Sequence, residues 1–334
     1  MLTPFRGYLP TRPPPATAAA AASLARGVRD EAGRYQPGEI LDRAVADGRL
    51  TRAESPCLYR YTITGADGVL ITGIVGAAAA SELVPHEATV RGAPYKPAPS
   101  LEIRPVLAIA EEPLPQMRDL VPAIAVHDGE GREHAAAPVA IDGALPPGPY
   151  VVADGHHRRR AAIHSRGPGC LLLTLLVGSS GAGLSAGTFH RRFTAAGPLP
   201  ASVGARFDVE SITEPVAVEG ALVWVEAASG RAFRLTPLPA ALEALLPEHR
   251  GSATAVASAL LYPLIGVTEE DAVYAETTEA ALAGLLPGER ALLLPAITIS
   301  TVLAAARTGW LLPAKSSRFR PKPLRGIVMR QAAG

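Results

Sequence analysis

Apolar residues along the chain fall into two registers. Over 38–49 (GEILDRAVADGR), Ile40, Leu41, Ala44 and Val45 share one face of a short helix that Gly48 ends. Segments 58–64 and 69–76 instead alternate apolar and polar positions about Ala66-Asp67-Gly68, the pattern of a β-hairpin. Further strands are expected at 101–108 and 120–127, with a tight turn at Gly129-Glu130-Gly131 and a returning strand at 134–141. Residues 150–153 (YVVA) form a continuous apolar run, read as a buried strand. It passes through Asp154-Gly155 into a basic helix from Arg158 to about Arg166, and an apolar strand follows at 170–177. A second hairpin pairs 221–227 with 231–236 across Ala228-Ser229-Gly230. Beyond it, helices at 255–265, 278–285 and 299–307 alternate with strands at 272–275 and 290–294. The Ala-rich stretch 16–25 follows a cluster of prolines and is either a helix, the form expected, or a flexible connector.

Mixed strands and helices give an α/β (mixed α+β) protein. A length of 334 residues fits one large domain or two ordinary ones, and the division expected is 1–195 and 196–334, with the last basic loop returning to the site. With 48% apolar and 19% charged residues the chain can bury a substantial core, which excludes wholesale disorder. The 32 Gly and 32 Pro favour many short elements over long helices. A net charge of +1 argues against a general nucleic-acid coat. Two cysteines, Cys57 and Cys170, exclude a disulfide scaffold and a Cys-rich zinc module, and fit a reduced, cytoplasmic protein.

No segment reads as spanning a membrane: the uncharged stretch 170–189 is apolar only over a strand's length. Nor does the N-terminus read as a secretory signal, because Pro10, Pro13, Pro14 and Pro15 precede the Ala run and charge returns at Arg26 and Asp30.

Chemistry concentrates in four places. At Asp154-Gly155-His156-His157-Arg158, a glycine between strand and helix lets the backbone approach a ligand. The first helical N–H groups carry about half a positive charge there. Two imidazoles and a guanidinium beside them make a phosphate receptor. The alternative is an exposed basic helix start capped by Asp154, although cations oppose the dipole at that end. Zinc is disfavoured, since no Cys lies nearby and no HExxH spacing exists. In the loop at 85–91, His86 and Glu87 form an imidazole–carboxylate pair able to take a hydroxyl proton or hold Mg²⁺, or simply a solvated loop. The segment 313–325 gathers Lys315, Arg318, Arg320, Lys322 and Arg325 around Phe319 with no acid. It reads as an ordered loop folded over a phosphorylated ligand, with a nucleic-acid patch or a solvated tail as alternatives. The cluster Thr188-Phe189-His190-Arg191-Arg192 is either a salt-bridged loop or a ligand contact.

Together these places resemble the family called domain of unknown function 1015. The resemblance rests on Pro4-Phe5-Arg6-Gly7, on Gly73-Ile74-Val75-Gly76 before His86-Glu87-Ala88-Thr89, and on Ala153-Asp154-Gly155-His156-His157-Arg158. His190-Arg191 and the Pro-x-Lys-Ser-Ser-x-Phe-x-Pro-Lys run at 313–322 complete it. The sequence departs from the family pattern where Pro13-Pro14-Pro15-Ala16 stands in place of Pro-Pro-Tyr-Asp, and where Arg159 follows the signature. The Asp-Gly-His-His-Arg turn is in turn similar to the phosphate-binding turn of the ParB/sulfiredoxin superfamily, which includes free serine kinases.

That resemblance implies a ParB/sulfiredoxin-like nucleotide-binding core elaborated by extra strands and a C-terminal α/β region. It also implies a nucleotide-dependent small-molecule kinase acting on L-serine or a serine-like alcohol. Gly155, His156, His157, Arg158, Arg191, Lys315, Ser316 and Lys322 would hold the nucleotide. Glu87, His86 and Asp154 would be catalytic, Asp154 and Glu87 would hold Mg²⁺, and ATP or ADP would be the donor. The partners expected are a hydroxyl-bearing small molecule and a nucleotide. No membrane is expected, nucleic acid is disfavoured, and a homodimer is a possible assembly. The alternative is a non-catalytic nucleotide-binding regulator or slow nucleotide hydrolase of ParB-like type.

Overall fold

The alternation over 58–79 closes as the hairpin Leu58–Gly65/Gly68–Ala79 in the computed structural model, which describes residues 1–11, 37–89, 101–121, 124–179, 183–194, 197–227 and 229–332. The Ala-rich stretch 16–25 lies outside the described residues. The chain divides into two compact units. One comprises Met1–Val84, Pro94–Leu184 and Pro321–Gly334, and the other Pro85–Ala93 and Ser185–Arg320.

The first unit is built on a nine-stranded sheet among the described residues. Its order is Leu83–Pro85, Tyr150–Asp154, Val106–Ala110, Leu171–Gly178, Gly68–Ala79, Leu58–Gly65, Glu133–Asp142 and Gln116–Asp119, with Ile124–His127 also on Glu133–Asp142. Strand Val106–Ala110 lies between the two strands that the helix His156–Arg166 connects. Tyr150–Asp154 runs antiparallel along one edge of it and Leu171–Gly178 parallel along the other, so the intervening helix His156–Arg166 crosses between its two neighbours. All five residues of Val106–Ala110 are buried, as its continuous apolar run requires of a strand covered on both faces. Ala162 of the helix joins Val106, Ala108, Val152 and Ile74 in the core. Gly73 is needed where the hairpin meets Leu171–Gly178, because a β-carbon there would stand 2.6 Å from the Leu176 carbonyl oxygen. The expected single strand over 101–108 is two, Leu101–Glu102 and Val106–Ala110, because Pro105 lacks an N–H and interrupts the ladder.

The second unit has a six-stranded sheet ordered Phe207–Ile212, Arg231–Pro237, Leu222–Glu226, Arg290–Leu293, His190–Phe193 and Ala272–Ala275, antiparallel throughout. The hairpin expected about residues 228–230 is its centre. Phe193 stacks on Trp224 (centroids 6.1 Å) and meets Tyr262 edge-on (5.7 Å), which seals the sheet against the helical segment 253–265. The cationic run 188–192 is not a loop: His190–Phe193 is a strand paired on both sides. Its charges masked the strand signal because Arg191 points inward with its charge satisfied there.

Candidate functional site

In the first unit, strand Tyr150–Asp154 ends against Gly155, whose φ of +115° turns the chain into helix His156–Arg166 without a side-chain cap. A β-carbon at Gly155 would lie 3.0–3.2 Å from the Arg158 guanidinium and Val106, so the position excludes any larger residue without displacement. Around this start three cations converge on one carboxylate. Asp154 Oδ2 accepts from Arg158 Nη2 at 2.5 Å and faces Arg104 Nη2 at 3.1 Å, while Lys322 Nζ stands 4.0 Å from Oδ1. The balance is positive at the end of the helix that is itself positive, a combination that attracts anions. The Arg158 pKa falls to about 10, chiefly through burial, and exposed Arg325 is close enough to add to the depression.

Arg158 is less free than its place in the motif implies. Its Nη1 donates to the carbonyls of Arg104 (2.7 Å) and Pro105 (2.5 Å), so much of the fork anchors the helix start to the neighbouring strand. His157 is exposed beside it, and His156 is buried.

His86, Glu87, Arg191, Lys315 and Ser316 come together in the second unit. Glu87 pairs in parallel with Leu312: Leu312 N–H donates to the His86 carbonyl (2.9 Å) and Ala88 N–H to the Leu312 carbonyl (2.8 Å). This sets the buried Glu87 carboxylate against Ser317, which donates to Oε2 through both its N–H and its hydroxyl, each at 3.0 Å. His86 Nε2 lies 2.7 Å from the same hydroxyl and 3.8 Å from Oε2. Burial pushes the Glu87 pKa up to about 7, against the opposing pull of Ser317, Lys315 and Arg191.

Arg191, fully buried, holds this loop in place. It donates to Glu269 Oε1 (3.1 and 2.7 Å) and to the carbonyls of Phe189, Ala314 (3.1 Å) and Lys315 (3.2 Å). Lys315, at φ +58°, turns the chain and lays its ammonium 4.8 Å over the Phe189 ring. Ser316 is buried, its hydroxyl engaged by the Pro313 carbonyl and Thr254, both at 2.6 Å. Of the two adjacent serines, Ser317 is thus the one at the carboxylate. Neighbouring His190 is held neutral, its pKa pushed down to about 4 by burial, while its Nδ1 accepts from Leu294 N–H at 3.1 Å.

Sequence reasoning missed Arg104, Ser317 and Glu269. Arg104 precedes a proline in what read as a plain strand, and Ser317 is distinguished from Ser316 only by the turn at Lys315.

The surroundings fit a phosphate better than a divalent cation. Asp154 is ringed by cations, Glu87 accepts two hydrogen bonds beside Arg191 and Lys315, and no group of three His, Cys, Asp or Glu gathers among the described residues. Among the described residues, no helix is long and apolar enough to cross a membrane.

No family model matches the chain, and no curated protein matches it. Solved structures do. A conserved hypothetical protein from Pyrococcus furiosus shares 15% identity over 77% of this chain and 93% of that one, with a TM-score of 0.42. A free serine kinase in complex with AMP shares 15% over 77% and 90%, at 0.41. SbnI with C-terminal truncation, from Staphylococcus aureus, shares 12% over 76% and 87%, at 0.43.

Proposed function

We propose that this chain is a nucleotide-dependent phosphotransferase that moves a phosphoryl group onto the hydroxyl of a small molecule, with L-serine or a serine-like alcohol as acceptor and ATP or ADP as donor. The observation that carries the reading is the helix start at Gly155, uncapped by any side chain, where Arg104, Arg158 and Lys322 gather about the carboxylate of Asp154. A polyphosphate meets these cations and accepts from the helix N–H groups. The motif resemblance to the domain of unknown function 1015 family, and through its turn to the ParB/sulfiredoxin superfamily, supports the same reading.

Phosphoryl transfer asks a protein mainly for positioning and charge neutralisation. Gly155 admits the phosphates to the backbone, and Arg104, Lys322 and Arg325 supply charge. Arg158 anchors the turn while keeping a positive face. Glu87, with a pKa near 7, is suited to take the proton of the acceptor hydroxyl at neutral pH. Neither carboxylate is placed to serve as a resident Mg²⁺ ligand, so any Mg²⁺ enters with the nucleotide as part of the substrate.

Phosphorus NMR of the full chain with Mg-ATP and then Mg-ADP, each with and without L-serine, tests this. The expected result is a phosphomonoester resonance that requires serine. A second reading, a nucleotide-binding regulator or slow hydrolase, is favoured by Pro13-Pro14-Pro15-Ala16 standing where the family pattern has Tyr-Asp. Free phosphate without ester would select the hydrolase, and nucleotide binding with an unchanged spectrum the regulator.

A further inference from the structure

The second unit holds a cavity of about 310 Å³ that takes no part in the chemistry above. Its walls come from the start of strand Leu222–Glu226, from helix Ala253–Val256 and from the residues opening helix Ile299–Thr308. Leu222, Leu242, Val256 and Pro295 give it an apolar interior, with Leu222 and Val256 almost fully buried. A volume at the small end of ligand sites suits an amino-acid-sized molecule.

Two opposite charges line the same cavity. Arg250 is held in a fixed pose by its own backbone: Nε donates to the Leu245 carbonyl (3.2 Å), and Nη2 to the carbonyls of Glu243 (3.1 Å) and Leu245 (3.0 Å). Among the described residues Nη1 has no partner and no carboxylate neutralises the guanidinium. Glu219 lines the cavity too, and its carboxylate makes no hydrogen bond or ion pair among the described residues. The two charges are not paired with each other either. Arg250 and Glu219 are both exposed, so the cation and the anion stand at the solvent side of an apolar lining, an arrangement complementary to a zwitterion whose apolar side chain points inward.

We propose that this cavity binds a free α-amino acid with an apolar side chain. Arg250 receives the carboxylate, Glu219 the ammonium, and Leu222, Leu242 and Val256 the side chain. The site is independent of the phosphotransferase reading and stands or falls without it.

Calorimetric titration of the full chain with L-leucine and L-methionine tests the proposal, with 4-methylpentanoate and 3-methylbutylamine as analogues lacking one charge each. Saturable binding of an amino acid is expected, with each analogue about tenfold weaker or worse, since each leaves one charged partner unmatched. Arg250→Gln should weaken L-leucine by about the same factor and leave 3-methylbutylamine unchanged. Val256→Trp, which fills the interior, should abolish binding. Absence of heat from both amino acids up to about 10 mM would overturn the proposal. So would equal affinity for 4-methylpentanoate and L-leucine, or undiminished binding in Arg250→Gln.

Discussion

Ser317 meets Glu87 twice on one oxygen: its N–H and its hydroxyl each donate to Oε2 at 3.0 Å. Both bonds favour the carboxylate, as do Lys315 and Arg191, with His86 and Tyr274 also facing the group. Burial outweighs them and lifts the pKa to about 7. A carboxyl whose pKa rises on folding holds its proton longer in the native state. Its contribution to stability is therefore full below the unfolded value near 4.5 and is lost as pH rises through about 7. We expect the wild-type Tm to fall between pH 5 and pH 8 relative to Glu87→Gln, which cannot ionise, by the equivalent of a few kcal/mol. Parallel Tm curves for the two proteins over that window would rule out the assignment.

Removing the Ser317 hydroxyl should move that titration further up. In Ser317→Ala the N–H bond remains but one donor to the anion is gone, so the Glu87 pKa should rise by roughly one unit. Carbon-13 NMR of labelled glutamate carboxyls measures this directly. If Glu87 is the base, the acidic limb of the pH–rate profile shifts with it and activity recovers at higher pH, which simple loss of fold would not allow.

Arg191 is expected to behave as a strut. Five of its contacts end on Glu269 or on carbonyls of the same unit, and its side chain is fully buried. Arg191→Lys keeps the charge but loses the planar fork, leaving buried acceptors unmatched. A loss of about 3–5 kcal/mol in urea unfolding is the expected result. A fully stable Arg191→Lys with weakened nucleotide binding would instead make the residue a ligand contact.

The hairpins at 58–79 and 221–237, the buried strand before Asp154 and the helix after it were legible because apolar periodicity is local. The strand His190–Phe193 was not, since three consecutive basic residues read as surface until Glu269 and the 314–315 carbonyls come to meet Arg191 from far along the chain. The same holds for the proposed anion site. Gly155 and the basic run advertise a phosphate turn, but that Arg158 looks inward depends on Arg104 and Pro105, 54 and 53 residues away. Such partners have no signature in one sequence, because they are set by sheet order rather than by spacing.

Arg158 and Lys322 should therefore separate when mutated. Lys322 is partly exposed and stands 4.0 Å from Asp154, so its pairing there is screened by solvent and adds little to stability. Lys322→Ala should weaken ADP binding about tenfold, reduce its salt dependence and cost less than about 1 kcal/mol of stability. Arg158→Ala should weaken ADP comparably and also cost about 1–3 kcal/mol of stability, because the carbonyls of Arg104 and Pro105 lose their donor. Calorimetry paired with thermal unfolding distinguishes them. An Arg158→Ala protein with wild-type Tm would show that its carbonyl contacts contribute nothing.

Gly155 offers the sharpest test of the turn. Its φ of +115° is one that side chains rarely adopt, and an added β-carbon would press on the Arg158 guanidinium and Val106 at 3.0–3.2 Å. Relief has two routes. The backbone can retreat from φ +115°, which rotates the first N–H groups of His156–Arg166, or Arg158 can swing away from the Arg104 and Pro105 carbonyls. Either route disturbs the proposed phosphate receptor, so Gly155→Ala should cost about 1–3 kcal/mol of stability and weaken ADP binding more than Lys322→Ala does. Asparagine tolerates positive φ better than alanine but adds the same β-carbon. Comparing Gly155→Ala with Gly155→Asn therefore separates backbone strain from crowding. If both lose binding equally, contact with Arg158 and Val106 dominates; if asparagine retains more, the conformation does. Wild-type Tm and affinity in both variants would show that the turn makes no demand for glycine and would remove the backbone from the proposed phosphate site.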